Sequence, residues 1–304
     1  MGYALINQGI GSLRKEPDYE SSLEDEALYG MKVMIIGQED NWYKVMTHYR
    51  YTGYVNGKEL LFNQDKIQAW DQAEKQVVIK SYADILSIPK FQGYILESVP
   101  RGGIVALAEQ RGKDSGENEN GFTKVMLCDG RTGYIRSSMI KPCPQSMYED
   151  TYPYYRAAGV DEGDNVRRFL KEQYKMNEEE FRAKVTATAL SYLGTQYRWG
   201  GKSSLGIDCS GLCSMSYMIE GLVIYRDAKI MEGFPVRAIP YEEAKKGDLL
   251  YFPGHIAMYL GNGKFVHSTG RAGDDGVVLG TFQKEEEGYR EDLWKMLITA
   301  GTVF

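Results

Sequence analysis

The chain has 304 residues, 43% of them hydrophobic and 26% charged, an ordinary balance for a folded protein of roughly two or three domains. Its 36 Lys+Arg against 42 Asp+Glu give a formal charge of −6, which argues against nucleic acid or an anionic membrane as the main partner. No run approaches the ~18 apolar residues of a membrane span. The opening MGYALINQGIGSLRKEP lacks the basic segment, apolar stretch and cleavage site of a signal peptide, so the expected location is the cytoplasm, or the cell envelope for a trimmed exported form.

Residues 1–145 read as all-β. Runs such as Lys32–Ile36, Trp42–Thr47, Gly53–Asn56, Val77–Ile79 and Gly121–Leu127 alternate or carry β-branched and aromatic residues, with turn residues between them. An internal repeat divides the region. Lys44-Val45-Met46 followed by Thr52-Gly53-Tyr54-Val55 returns 80 residues later as Lys124-Val125-Met126 followed by Thr132-Gly133-Tyr134-Ile135, and Leu60 maps onto Ile140. Two tandem copies of one small β-barrel are expected, at 1–70 and 71–145, the second with a longer loop around Gly112–Gly121.

Pro142, Pro144 and Pro153 mark a boundary, and Asp164–Lys175 has the spacing of a linker helix within 146–178. Asn177 with Glu180 reads as a capping box opening a helix that faces inward through Phe181, Val185, Ala189 and Tyr192 and closes at Gly194. The next stretch, YRWGGKSSLGIDCSGLCSMSYM from Tyr197, places Asp208 as an N-cap and Cys209 in the first turn of a second helix. A thiol there is expected to ionise more readily than the ~8.5 of free cysteine. A buried structural cysteine is the competing reading of this stretch alone, and Cys213 belongs to the core.

Strands follow: Gly247–Phe252, His255–Leu260, Lys264–Ser268, Val277–Leu279 and Met296–Thr299. Helices followed by antiparallel strands make an α+β domain over 179–304. Two of the chain's three histidines, His255 and His267, share the hairpin around Gly261-Asn262-Gly263. A three-residue loop puts both rings on one face, whereas a two-residue turn puts them on opposite faces. A nucleophilic cysteine needs a base, and the base needs a third group to fix its ring. Cys209, His255 and His267 fit those roles in that order. A zinc site using Cys209, Cys213, His255 and His267 is conceivable, but its spacing is not that of a finger or ribbon.

The N-terminal pattern resembles bacterial SH3-like domains in both copies. Tyr197-Arg198-Trp199-Gly200-Gly201, Asp208-Cys209-Ser210-Gly211, Gly247-Asp248-Leu249, Gly254-His255-Ile256-Ala257-Met258-Tyr259 and His267-Ser268 resemble the NlpC/p60 family of papain-like cysteine peptidases. The resemblance implies Cys209 as nucleophile, His255 as base, His267 as orienting residue and Tyr197 as an oxyanion contributor. The order of two SH3-like copies and then this domain is similar to the γ-D-glutamyl-L-diamino acid endopeptidases. It implies cleavage of cell-wall stem peptides that carry a free amino-terminal L-Ala, releasing L-Ala-γ-D-Glu, with no metal or cofactor. By that resemblance the substrate contacts are Asp227, Tyr51 and Glu16 for the ammonium and Ser210 for the D-glutamyl group. Arg226 is a candidate for the α-carboxylate, and Asp208 and Trp199 line the same site. In that subfamily the first SH3-like domain shapes the cleft. Diaminopimelate and lysine remain open at the third position, and the oligomeric state is open, a monomer being sufficient. The rival readings are a catalytically inactive wall-binding protein and a papain-like amidase or acyltransferase.

Overall fold

Short alternating runs fold as strands throughout the N-terminal part of the computed structural model, which describes residues 2–108, 120–149 and 177–304. The expected linker helix at Asp164–Lys175 lies outside these residues. By its internal contacts the chain forms two compact units, Met1–Tyr148 and Glu149–Phe304.

In the first unit, strands β1 (Gly2–Ile6), β2 (Ile10–Arg14), β3 (Leu23–Leu28), β4 (Lys32–Glu39), β5 (Trp42–Met46), β6 (Thr52–Asn56) and β7 (Leu60–Leu61) form one sheet, ordered β3-β2-β6-β5-β4-β1-β7. After helix α1 (Gln64–Gln72) come β8 (Lys75–Val78), β9 (Tyr82–Leu86), β10 (Ile95–Pro100), β11 (Ile104–Leu107), β12 (Phe122–Met126), β13 (Thr132–Arg136) and β14 (Ile140–Pro142). Their order, β10-β9-β13-β12-β11-β8-β14, repeats the first sheet strand for strand. The sequence repeat is the hairpin common to both: Lys44 pairs with Tyr54 and Val45 with Gly53, as Lys124 pairs with Tyr134 and Val125 with Gly133. In each hairpin the alternate valine is fully buried while the lysine faces out, the period-2 pattern of a half-buried strand.

The two sheets of this unit meet at Tyr29 and Gly30. The Ile104 N–H donates to the Tyr29 carbonyl at 2.8 Å, and the Cys128 N–H donates to the Tyr29 hydroxyl at 3.1 Å. Gly30 has φ +76°, and a Cβ there would stand 2.5 Å from the Ile104 carbonyl oxygen, so both its conformation and its contact require glycine.

The second unit begins with helix α2 (Glu178–Leu190), capped by the Asn177 side chain, which accepts from the Glu180 N–H at 2.7 Å. The reciprocal half of the expected capping box is not made: the Glu180 carboxylate pairs with Lys184 at 3.0 Å instead. Phe181, Val185 and Ala189 are buried as their spacing predicts. The short strands β15 (Lys202–Ser203) and β16 (Gly206–Ile207) lead into α3 (Cys209–Ile219). Every residue of α3 is buried, and its two later serines hand their hydroxyls to the helix backbone, Ser216 to Leu212 at 2.6 Å and Ser214 to Gly211 at 3.3 Å.

An antiparallel sheet follows, built from β17 (Arg237–Ile239), β18 (Leu249–Phe252), β19 (His255–Gly261), β20 (Lys264–Thr269), β21 (Gly276–Thr281) and β22 (Thr299–Thr302), in the order β17-β22-β18-β19-β20-β21. The expected strand Met296–Thr299 is displaced: Met296 ends a short helix α4 (Glu291–Met296), and the strand starts at Thr299. Apolar Leu293 turns that segment onto the sheet's core with Leu250, Phe252 and Phe265, and helical packing wins over the short apolar run. No helix of the described residues is long and apolar enough to cross a membrane.

Candidate active site

Asp208 builds the turn that presents Cys209. Its Oδ1 accepts from the Gly211 N–H at 2.5 Å and the Ser210 hydroxyl at 3.1 Å, and its Oδ2 accepts from the Gly200 N–H at 2.9 Å. Arg226 closes on the same carboxylate with two bonds, Nη1 at 3.0 Å and Nη2 at 3.1 Å, and Nη1 also donates to Ser210 Oγ at 2.7 Å. A buried charge needs such pairing, and bidentate guanidinium–carboxylate geometry supplies it. The loop is held so closely that a Cβ at Gly211 would stand 2.2 Å from the Gly201 carbonyl oxygen.

Cys209 itself is 7% exposed, and its sulfur accepts from the Ile256 N–H, one residue beyond His255. The thiol does not follow the expectation of easy ionisation. Burial and the Asp208 carboxylate push it up to about 11, against a weaker downward pull from the Ile256 and Ser210 N–H groups and Arg226. The helix start is real, but α3 is buried all round, and desolvation exceeds the dipole. Cys213, one turn on, is fully buried and its thiol is likewise raised.

The two histidines share one face of the β19–β20 hairpin. Met258 pairs with Val266 and Tyr259 with Phe265, the register of an odd-length loop. The tip itself is a two-residue turn, Asn262 and Gly263 at φ +52° and +74°, and a bulge at Leu260 restores the odd register before Gly261 pairs with Lys264. His255 Nε2 thus lies 2.8 Å from His267 Nδ1, which leaves Nδ1 as the second ring nitrogen of His255. Burial lowers His255 to about 4 and His267 to about 3, so both rings are neutral at physiological pH. Ser268, which follows, donates to the Ile207 carbonyl at 2.6 Å and fastens the hairpin to the turn before Asp208.

Tyr197 stands half-buried beside Cys209 and Asp208; burial, then those two groups, raise its hydroxyl to about 12. Gly270 lies against its ring, where a Cβ would be 3.3 Å away. Trp199 is 66% exposed next to the Gly200–Gly201 turn. Asp227 follows the buried Arg226, and its carboxylate accepts from the Tyr225 hydroxyl. Arg226, 2% exposed, is therefore committed to Asp208 and Ser210, and Asp227 is the next residue along the chain. Tyr51 and Glu16 belong to the N-terminal unit. Tyr51 is half-buried and closes the β5–β6 hairpin, its N–H donating to Thr47 Oγ1 at 3.0 Å, while Glu16 is exposed on the β2–β3 loop.

Residues 194–294 match the model of the NlpC/P60 family, and residues 11–60 match that of the bacterial SH3 domain. Dipeptidyl-peptidase 6 of Lysinibacillus sphaericus is 38% identical to this chain over 99% of both. The chain belongs to the NlpC/P60 family. A second relative, the gamma-D-glutamyl-L-lysine dipeptidyl-peptidase of Bacillus cereus, is 25% identical over 82% of this chain and 68% of its own. The crystal structure of an NlpC/P60 family protein from Bacillus cereus superposes with a TM-score of 0.72 over 98% of both chains at 20% identity, a likeness of fold.

Sequence spacing missed several members of this NlpC/P60 site. The Ile256 N–H is a backbone group and leaves no compositional trace. Ser268 sat beside a singled-out histidine without an assigned partner. Arg290 and Asp292, which stand behind His267, are remote in sequence and belong to no motif.

Proposed function

We propose that the protein is a cysteine peptidase that hydrolyses the γ-D-Glu–diamino acid bond of peptidoglycan stem peptides with a free amino-terminal L-Ala, releasing L-Ala-γ-D-Glu. The observation that carries the reading is the 2.8 Å bond between His255 and His267 on the strand face beside Cys209, whose sulfur sits on the Ile256 N–H. The name of the Lysinibacillus relative supports release of a dipeptide, and that of the gamma-D-glutamyl-L-lysine dipeptidyl-peptidase supports the substrate class.

In this reading His255 takes the Cys209 thiol proton at Nδ1 as the sulfur attacks the γ-carbonyl carbon of D-Glu. The Cys209 N–H and the Tyr197 hydroxyl receive the oxyanion. The C–N bond then breaks, His255 gives its proton to the departing amine, and a thioester remains. Water, deprotonated by His255, attacks that thioester and returns the thiol with release of the dipeptide. His267 orients the ring throughout. A high resting thiol suits proton transfer concerted with attack, not a standing thiolate.

Asp227, fixed by Tyr225 and by the anchored Arg226, receives the substrate ammonium, and Ser210 faces the D-glutamyl group. Asp227→Ala should raise KM for peptides with a free amino terminus and spare N-blocked ones. The second seven-stranded sheet is read as a second SH3-like barrel, and the C-terminal unit as a papain-like α+β domain, giving the divisions 1–70, 71–145, 146–178 and 179–304. The test of the whole reading is Cys209→Ala with L-Ala-γ-D-Glu-diaminopimelate and L-Ala-γ-D-Glu-L-Lys, products identified by mass. Loss of at least about 10³-fold in kcat with the fold retained is expected. Turnover surviving in that variant would remove Cys209 from the mechanism.

A further inference from the structure

Behind the histidine pair stands a cation. The His267 ring nitrogen that does not meet His255 is Nε2, and Arg290 Nη1 lies 3.4 Å from it. Arg290 is 7% exposed and is fixed from two sides. Its backbone N–H donates to the Thr281 carbonyl on β21 at 2.9 Å, and its Nε and Nη2 donate to the two carboxylate oxygens of Asp292 at 2.8 and 2.7 Å.

A guanidinium only donates, so a bond to Nε2 makes that nitrogen an acceptor. His267 then carries its hydrogen on Nδ1 and gives it to His255 Nε2, which leaves the His255 hydrogen on Nδ1 in this resting arrangement. The forms of His255 that serve the chemistry, the neutral ring open at Nδ1 and the imidazolium, demand the reverse. The His255 Nε2–H must then donate to His267 Nδ1, which moves the His267 hydrogen to Nε2 and sets it against Arg290, donor to donor. The cation and the working forms of the base are therefore in opposition.

We propose that Arg290 is a positioning residue for the histidine pair, selecting the tautomer of His267 and opposing positive charge on His255, with Asp292 as the counterweight that limits its effect. The inference rests on the roles of Cys209, His255 and His267 given above. The charged and titratable groups facing the pair are Arg290, Asp292 and Arg271 from the sheet's outer connections and Asp208 beside Cys209. Asp274 lies 3.9 Å from Arg290 and 3.7 Å from Arg271. Among these, Arg290 lowers both histidines and Asp292 raises both. Asp292 is itself held down to about 2 by its bonds to Arg290, so the counterweight stays charged across the working range.

The experiment follows kcat/KM against pH on L-Ala-γ-D-Glu-L-Lys, alongside alkylation of Cys209 by iodoacetamide, read by peptide mass so that other thiols do not contribute. Arg290→Met removes the charge and keeps most of the volume. Its acid limb should move up by about one pH unit, the size expected for removing a close like charge, and Cys209 alkylation at neutral pH should quicken. Arg290→Lys, which keeps a cation, should stay near the parent, and Asp292→Asn should move the limb down. A folded Arg290→Met protein with an unmoved or lowered acid limb overturns the proposal. If that variant does not fold, Asp292→Asn decides alone, an unmoved limb overturning it equally. Failure of the underlying reading is separate, since it would appear as retained turnover in Cys209→Ala.

Discussion

Two buried arginine–aspartate pairs occupy the C-terminal unit, and their chemistry is nearly the same. Arg182 on α2 donates to Asp248 Oδ1 at 2.7 Å, and Asp248 Oδ2 accepts from the Lys245 N–H at 2.8 Å. Arg226 donates twice to Asp208, whose remaining valences cap α3. Both aspartates are almost wholly enclosed, at 1% and 7% exposure. The pairs differ in what the carboxylate does next. Asp248 ties α2 to the lead-in of β18, with the Tyr217 hydroxyl donating to the neighbouring Gly247 carbonyl. Asp208 shapes the turn that carries Cys209. One pair joins elements, the other aims a sulfur. An identical ion pair is therefore no guide to role; the atoms on its far side are.

That contrast can be broken by substitution. Arg226→Met should give the largest effect. It strands a buried carboxylate at about 3–5 kcal/mol of stability, and it should also lower kcat/KM by about 10²-fold or more through the displaced cysteine turn. Arg182→Met should cost a similar about 3–5 kcal/mol in denaturant unfolding yet leave kcat/KM of the folded protein within about threefold, as expected for a site remote from the chemistry. Equal kinetic loss in both variants would erase the distinction.

A smaller effect concerns acid. His255, half-buried, and His267, buried, are both neutral, with folded values of about 4 and about 3 against an ordinary ~6.5 when unfolded. The stability held by their neutral forms is complete above ~6.5 and is lost as pH falls towards the folded values, because the unfolded chain binds protons first. Tm should therefore decline from about pH 6.5 downward. His255→Asn should flatten that decline, whereas Arg182→Met should lower Tm without changing its slope; a parent Tm unmoved down to about pH 4 would contradict the assignment. On the activity side, neutral His255 is the form that accepts the thiol proton, so the acid limb of kcat/KM should lie below the usual histidine range.

Much of this was legible in the sequence because short-range rules governed it. The Asn177 and Asp208 caps, the buried faces of α2 and α3, and the hairpin strands all follow from residue type and period. The duplicated Lys-Val-Met and Thr-Gly-Tyr motifs foretold two sheets of one strand order. What escaped depended on burial and on partners far along the chain. The Cys209 thiol was expected to be acidic from its helix position alone, because nothing local reveals that α3 is enclosed on every side. Arg226 looked like a free cation for a substrate carboxylate until Asp208 and Ser210 were found on it. Met296 read as a strand because an apolar run of that length fits either element.

The bulge at Leu260 carries a consequence for how this gene can vary. Exposed hairpin tips ordinarily accept single-residue insertions and deletions. Here the bulge absorbs one residue of the count between the histidines, so the pairing, and not the count alone, decides whether the two rings share a face. Losing Leu260 alone would keep Tyr259 opposite Phe265 across a plain two-residue turn, and His255 and His267 would stay on one face. Losing a residue between Lys264 and His267 with the bulge kept would turn them to opposite faces, so this loop tolerates a change of one residue only where a bulge forms or dissolves with it.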